Sequence, residues 1–225
     1  MKKIIYKILS IVFIFATFIS CEQDDTLDIS RVTYFNDIKM IGDELTLSPI
    51  GTVYQDQGVN AYEGDEDVTS RVITEDPVDS NTLGLYTVSY SITNADGFEK
   101  LATRTVIIHP IQDSGVDYSG VYTGDTRGEI IENGCTITKL GPSTYFASDF
   151  FGGVYCCGAR DYGPVYVMPA YFVVNDDNTA FLELSNDSPW GPWFNINQAI
   201  SGSTISHKVE SSPGGFGFEV ILIKQ

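Results

Sequence analysis

The chain has 225 residues, in which 30 acidic side chains outnumber 13 basic ones and give a formal net charge of −17. This balance argues against nucleic acid as a partner, because such binding depends on cations that meet phosphates, and against docking on anionic lipid. We expect a solubilising acidic surface and a partner that is neutral, cationic or metal-bearing. Frequent Tyr, Phe, Val, Ile and Thr, with Gly and Pro punctuation, predict an all-β protein of one large or two small domains.

The first twenty residues have the pattern of a leader. Three lysines precede an apolar run over residues 8–19, which is typical of a secretory signal peptide. Twelve helical residues rise only about 18 Å, whereas the hydrocarbon core of a bilayer is roughly 30 Å thick. We therefore predict a lipoprotein signal peptide over residues 1–20 rather than a permanent membrane span.

A cysteine follows this run directly. The segment Phe18-Ile19-Ser20-Cys21 resembles a bacterial lipobox, in which the cysteine is acylated, and several acyl chains on one residue give a stable membrane anchor. An ordinary cleaved signal with Cys21 as a spare thiol is the alternative. Residues 21–30 read as an acidic, solvated tether, and acids just after the lipidated cysteine resemble the surface-export signal of Bacteroidetes lipoproteins. We expect an outer-membrane lipoprotein displayed on the cell surface.

Residues 31–112 carry the signature of an immunoglobulin-like β-sandwich. Leu85 to Thr93 alternates apolar and polar residues, which predicts a half-buried strand. Asn94 to Gly97 supplies turn chemistry, and residues 101–108 return as a second strand that ends before Pro110. Shorter strand-like segments, at 32–35, 44–47 and 70–74, bring the pattern to some seven strands, as in such sandwiches.

Several short blocks in this region resemble a family of bacterial immunoglobulin-like domains found in surface proteins and lipoproteins, many of them from gut Bacteroidetes. The resemblance implies a spacer or adhesion module without catalytic residues. The blocks are Gly58 to Ala61, Asp67 to Thr69, Leu83 to Tyr90, Asn94 to Gly97 and Ala102 to Val106.

Residues 115–225 form a second predicted module. Strand-like runs at 135–140, 143–148, 170–175, 179–184, 203–209 and 216–224 predict an antiparallel β-barrel or sandwich. A barrel would pair the last strand with the first and remove exposed edges. The opening Tyr118 to Tyr122, with the central Ser148 to Gly153, resembles the uncharacterised C-terminal domain that often follows such immunoglobulin-like modules in Bacteroidetes lipoproteins. That resemblance implies architecture and compartment, not activity.

Three cysteines remain once Cys21 is assigned to lipid. An oxidising compartment allows one bridge among them, and we expect Cys135 to pair with Cys156 or Cys157. The alternative treats all three as small buried apolar residues. We expect no metal, because a zinc site needs four spaced nitrogen or sulfur ligands, and no cofactor.

The segment Ser188 to Phe194 holds both tryptophans, Trp190 and Trp193, together with two prolines and a glycine, which predicts a loop. Rigid aromatic rings there would stack on a sugar ring, while nearby polar groups bond its hydroxyls. The alternative is a loop that folds over the mouth of a barrel. The polar candidates for this glycan-binding site are Asn186, Asp187 and Asn195.

No sequence motif indicates catalysis. His109 and His207 lie outside metal-spaced patterns, and neither a Gly-x-Ser-x-Gly motif nor a P-loop occurs. We therefore expect a non-catalytic lipoprotein that binds carbohydrate through residues 115–225, with the immunoglobulin-like domain as spacer. Two alternatives stay open: a structural or adhesive accessory that binds another outer-membrane protein, and a small glycoside hydrolase that uses two of the many carboxylates.

Overall fold

The computed structural model describes residues 32–225, so the predicted leader, Cys21 and the acidic tether lie outside the described residues. The fold is all-β, as predicted, with fifteen strands and one 3₁₀ turn within the described part. None of its residues forms a helix long and apolar enough to cross a bilayer. Residues 36–225 form one compact unit, and the boundary between the modules 31–112 and 115–225 stays a prediction.

The N-terminal part is a sandwich of two sheets. One sheet has the order β1-β3-β4 and the other β2-β7-β6-β5, in which β2 runs parallel to β7. The strand expected at 32–35 begins later, at Asn36. The strands are β1 (Asn36–Met40), β2 (Leu45–Pro49), β3 (Val59–Glu63), β4 (Glu66–Asp67), β5 (Ile73–Glu75), β6 (Gly84–Thr93) and β7 (Glu99–His109).

The hairpin of β6 and β7 is the longest pairing in this sandwich, and its turn is the one predicted from Asn94 to Gly97. The side-chain oxygen of Asn94 accepts hydrogen bonds from the amides of Asp96 (3.1 Å) and Phe98 (2.8 Å). Gly97 takes the positive φ that closes the turn. The inward residues of both strands then pack between the two sheets: Val88, Tyr90, Val106 and Ile108.

An ion pair is buried inside this sandwich. The side chain of Arg104 is fully buried and bonds to the carboxylate of Asp56. Asp56 also accepts the hydroxyls of Tyr54 and Tyr90. Burial, and then the hydrogen bond to Asp56, raise the pKa of Tyr90. The remaining guanidinium N–H groups meet the backbone oxygens of Ile41, Asp43 and Gly58, so the buried charge is bonded on every side.

The C-terminal part is a nearly closed, barrel-like sheet of eight antiparallel strands. Each strand lies beside its neighbour in sequence, and the last strand pairs with the first, as predicted. The strand β13 was not predicted, because its start was read as part of the tryptophan loop. The strands are β8 (Gly120–Thr126), β9 (Glu129–Gly141), β10 (Thr144–Ala147), β11 (Ala170–Val174), β12 (Phe181–Asn186), β13 (Phe194–Ser201), β14 (Thr204–Glu210) and β15 (Gly217–Lys224).

The seam of the barrel lies between β12 and β13. These strands share no backbone ladder, but the amide of Ile200 donates to the carbonyl oxygen of Thr179 at 2.7 Å. The side-chain amide of Asn195 donates to the carboxylate of Glu183 across the same gap. One backbone bond and one side-chain bond thus cover two strand edges that would otherwise be exposed.

The interior of the barrel is filled by the connection from β10 to β11, residues 148–169, which we call the plug loop. Phe150 and Phe151 in this loop are fully buried, and the ring of Phe150 lies 4.8 Å from that of His207 on β14. A Cβ atom on Gly124 of β8 would overlap the carbonyl oxygen of Gly152. Glycine at position 124 therefore lets the loop backbone lie against the barrel wall.

Asp149 ties the two ends of the plug loop together. Its carboxylate accepts hydrogen bonds from the amides of Phe151 (2.8 Å), Gly153 (3.0 Å) and Met168 (2.9 Å). Burial raises the pKa of Asp149 to about 6, although the three backbone hydrogen bonds act in the opposite direction. The carboxyl is a structural element of the barrel interior.

The cysteine pairing differs from the expected one. Cys156 is bonded to its neighbour Cys157 within the plug loop. Cys135 is a free, buried thiol on β9, and burial raises its pKa to about 12. The expected bridge from Cys135 is therefore wrong, because this residue points into the apolar barrel core and serves there as a small buried side chain.

Candidate functional site

A cleft of about 410 Å³ opens at one end of the barrel, and we call it the aromatic cleft. In an antiparallel meander every second connection lies at the same end, so four connections meet here. Five aromatic residues line the cleft: Tyr155, Tyr162, Trp190, Trp193 and Phe216. The polar groups at its surface are Arg127, Arg160 and Ser211.

The two tryptophans have different roles in the cleft. Trp193 is only 8% exposed and packs edge-on against Phe151 of the plug loop, with ring centroids 5.2 Å apart. Trp190 is 44% exposed, and its ring lies 4.8 Å from that of Tyr155 and 5.1 Å from that of Tyr166. Trp193 is thus part of the core. Trp190 is partly exposed to solvent, and its contacts with Tyr155 and Tyr166 fix the position of its indole ring.

A tight turn positions Trp190. The hydroxyl of Ser188 accepts a hydrogen bond from the amide of Trp190 (3.2 Å) and donates to the carbonyl oxygen of Gly191 (2.8 Å). Gly191 has a φ of +88°, a region that suits glycine. The chain reverses at this point, and the indole is directed back toward the plug loop.

Arg127 reaches the cleft from the hairpin between β8 and β9. Its guanidinium lies 5.1 Å from the ring of Phe216 and 5.2 Å from that of Phe218. One N–H donates to the hydroxyl of Tyr155 at 2.8 Å. Within residues 32–225, no acidic side chain forms an ion pair with Arg127.

Arg160 approaches the same tyrosine from the plug loop. Its guanidinium lies 5.9 Å from the ring of Tyr155, and its Nε is 3.7 Å from the carboxylate of Glu129. The other carboxylate oxygen of Glu129 accepts the amide of Ala159. Glu129 therefore anchors this part of the plug loop, and its carboxylate offsets part of the positive charge of Arg160. No carboxylate of the described residues offsets the charge of Arg127 in this way.

The three polar residues predicted for a glycan site do not line the aromatic cleft. Asn186 bonds the backbone of Trp193 through both ends of its side-chain amide, and Asn195 donates to Glu183 at the barrel seam. Burial raises the pKa of Glu183, although both amides act in the opposite direction. Asp187 lies in a separate surface depression beside Val165. The side-chain amides of Asn186 and Asn195 bond to other parts of the protein near the seam. The prediction that these polar residues form the glycan site together with the tryptophans is therefore wrong.

Sequence reasoning did find Trp190 and Trp193 but missed the residues that face them. Arg127 offered no usable signal, because the two-residue hairpin that it forms with Gly128 favours Asn, Asp or Gly at this position. Arg160 and Tyr162 sit in a segment without regular secondary structure and offered none. Only the barrel topology brings these residues to one place.

Aromatic faces, two guanidiniums and two phenols line the cleft, and none of its lining residues is an Asp, Glu or His. Across residues 32–225, no three His, Cys, Asp or Glu side chains converge in a manner suited to a metal ion. The arrangement can stack on a ring and donate hydrogen bonds to its substituents.

Both parts of the chain match models of known protein families. A family model for a bacterial surface protein, Ig-like domain, matches residues 38–108, and one for a BT2262-like C-terminal domain matches residues 112–224. No curated protein is significantly similar.

Several solved structures are similar to the chain, and they include the following two. The lipoprotein BT2262 from Bacteroides thetaiotaomicron is 28% identical over 85% of this chain and 100% of that one, with a TM-score of 0.45. The CBM51-2 and INT domains of Clostridium perfringens ZmpB, the former in complex with GlcNAc, are 16% identical over 79% of this chain, with a TM-score of 0.30. This chain spans 30% of the latter. By the family model that covers its C-terminal half, the chain belongs to the BT2262-like C-terminal domain family, and a bacterial surface immunoglobulin-like domain precedes that domain.

Proposed function

We propose that this protein is a non-catalytic, lipid-anchored lipoprotein of the outer membrane that binds carbohydrate at the cell surface. The C-terminal barrel is the binding domain, and the immunoglobulin-like sandwich is a spacer. The observation that carries the proposal is the half-exposed indole of Trp190 at the rim of an aromatic cleft that also presents Arg127. Pyranose rings have apolar faces that stack on such rings, while hydroxyls accept bonds from the polar rim.

The rigidity of the cleft supports a binding role. Trp190 is packed between Tyr155 and Tyr166, and the plug loop beneath it is tied by Asp149. A preformed site loses little side-chain entropy when a ligand binds. The volume of about 410 Å³ lies at the smaller end of ligand sites, which run from roughly 300 to 1,000 Å³. A short saccharide or a chain end suits it best.

The proposal that the cleft is non-catalytic has support from its lining. Glycoside hydrolysis uses two carboxyl groups on either side of the bond. The carboxylates of Asp149 and Glu183 accept hydrogen bonds from amides that hold the plug loop and the seam. The buried carboxylate of Glu210, next to Ser211 of the cleft lining, bonds to Lys208 and to the amide of Gly214. They serve the barrel rather than a substrate.

A titration of tryptophan fluorescence tests the function. Residues 22–225 contain Trp190 and Trp193 as their only tryptophans, so the signal comes from this cleft. We expect a blue shift with a member of a panel of soluble plant, mucin and microbial polysaccharides. Trp190→Ala should abolish binding and leave the fold intact, since this indole is half-exposed.

Phe194→Ala is the matched control. Phe194 is also 44% exposed and follows Trp193 directly, but it does not line the cleft. Its loss should leave binding unchanged. If no polysaccharide binds, and Trp190→Ala changes only stability, the carbohydrate function is wrong.

An accessory role with a protein partner has one observation in its favour. Ile73 and Leu101 are both exposed and flank Ser91 on neighbouring strands of the four-stranded sheet, which makes an apolar pair on its outer face. Co-purification with an outer-membrane protein that is lost in Ile73→Ser/Leu101→Ser would support this role. Retention of the partner in that variant would contradict it.

A further inference from the structure

We propose that the aromatic cleft selects an acidic sugar, that is, a pyranose with a carboxylate or sulfate ester, and that Arg127 is the residue that recognises the anion. This inference rests on the carbohydrate-binding function proposed above. It differs from the expectation drawn from the net charge of −17, which favours neutral or cationic partners. The local charge of the cleft is opposite to that of the whole chain.

The lining of the aromatic cleft is positively charged. Two of the five arginines in the sequence, Arg127 and Arg160, line this one cleft. None of the residues that line it is acidic. Arg160 is partly compensated by Glu129 at 3.7 Å, whereas no carboxylate of the described residues pairs with Arg127. The cleft therefore carries uncompensated positive charge.

The backbone at Arg127 has an unusual conformation. Arg127 and Gly128 form a two-residue hairpin with φ angles of +56° and +79°, a turn that prefers Asn, Asp or Gly. Six described residues other than glycine have positive φ, and five of these are Asn, Asp or Ser. Arg127 is the exception. A residue held in a sparsely populated conformation is a reason to look for a function of its side chain.

The guanidinium of Arg127 is held in place, but most of its N–H donors have no hydrogen-bond partner among the described residues. It lies over Phe216 and Phe218 and uses one N–H for the hydroxyl of Tyr155. A guanidinium has five N–H donors in a planar fork that matches carboxylates and other oxyanions. The surrounding rings restrain the guanidinium, and the side chain is exposed to solvent. The donor is thus in place before the ligand arrives.

The acidic surface limits how much negative charge the ligand carries. At physiological ionic strength the screening length is about 8 Å, so the guanidinium dominates at contact distance. A densely charged polymer would extend past the cleft over acidic surface and be repelled. We infer that the ligand carries an isolated acidic group beside a stacking face.

The test compares matched acidic and neutral sugars. Residues 22–225 are titrated with galacturonate and its methyl ester, and with sulfated and unsulfated lactose. We expect at least one acidic member to bind tenfold or more tightly than its neutral counterpart. The two pairs separate a carboxylate ligand from a sulfate ligand.

Arg127→Asn is the decisive variant, because Asn suits the positive φ of this hairpin and should fold. It should lose the preference for the acidic member and keep weak binding of the neutral one, since Trp190 still stacks. Arg127→Lys, which keeps the charge but lacks the planar fork, should retain part of the preference. Equal wild-type affinity for both members of each pair, or an unchanged preference in Arg127→Asn, would overturn the acidic-sugar inference and leave carbohydrate binding standing. If Trp190→Ala binds as tightly as the wild type, the proposed site itself is wrong.

Discussion

His207 donates a hydrogen bond from Nε2 to the backbone carbonyl oxygen of Phe150 at 2.9 Å, inside the barrel. The bond joins β14 to the plug loop that supports the aromatic cleft. Burial lowers the pKa of His207 to about 4, although the bond to Phe150 acts in the opposite direction. Among the described residues, its Nδ1 has no hydrogen-bond partner. His207 is therefore neutral at pH 7 and resists protonation while the barrel stays folded.

The first prediction concerns acid stability. Because the pKa of His207 is lower in the folded chain than its ordinary 6.5, its contribution to stability is present above pH 6.5 and is lost as pH falls toward 4. A shift of this size corresponds to about 3 kcal/mol. His207→Gln, which keeps a donor for Phe150, should lack this loss in urea denaturation between pH 7 and 4. His109→Gln should keep it. Equal acid loss in all three proteins would contradict the assignment.

Asp149 should act in the opposite direction. Burial raises its pKa from 3.8 to about 6, so its contribution is present below pH 3.8 and is lost as pH rises through 6. In the wild type this gain on acidification offsets the loss at His207. Asp149→Asn removes the gain, and its unfolding free energy should fall by about 2 kcal/mol more than that of the wild type between pH 6 and 4. A parallel pH profile for the two proteins would count against a titrating Asp149.

Gly124 should be intolerant of a side chain. A Cβ atom there would overlap the backbone oxygen of Gly152, and backbone cannot move aside as a flexible side chain can. Gly124→Ala should lower stability by about 2–3 kcal/mol and loosen the plug loop. Gly128→Ala is the control, because its Cβ would meet open space and only the positive φ opposes it, at about 1 kcal/mol. Thermal unfolding of both variants checks the difference.

Removing one partner of the buried ion pair between Arg104 and Asp56 should strongly lower the stability of the protein. Arg104→Met leaves Asp56 without its cation, and such losses amount to about 3–5 kcal/mol. Adding Asp56→Asn should recover part of the loss, because the orphaned charge is gone. Arg71→Met breaks the more exposed pair with Glu63 and should cost less than about 1 kcal/mol. Chemical denaturation of the three variants measures the contrast.

The bond between Cys156 and Cys157 closes the shortest possible loop, so it constrains the unfolded chain little. Reduction should leave the denaturation midpoint nearly unchanged. It should instead raise amide hydrogen exchange across residues 150–162, since the bond lies within the plug loop. Mass spectrometry of a non-reduced digest should find the linked pair in one peptide. A peptide that links Cys135 to either residue would disprove this pairing.

The sequence by itself determined the all-β class and the β6–β7 hairpin with its turn from Asn94 to Gly97. These features follow from the alternation of apolar and polar residues and from turn chemistry, which act over a few neighbouring positions. The exposed position of Trp190 in a Pro- and Gly-rich loop has the same local origin.

Only the tertiary structure decided the composition of the cleft. Arg127, Tyr155 and Phe216 come from three different connections, and they meet because alternate connections of an antiparallel barrel lie at one end. The closing of the seam by Asn195 and the burial of Cys135 likewise depend on strand order and register. Such contacts join residues far apart in sequence, and no local pattern encodes them.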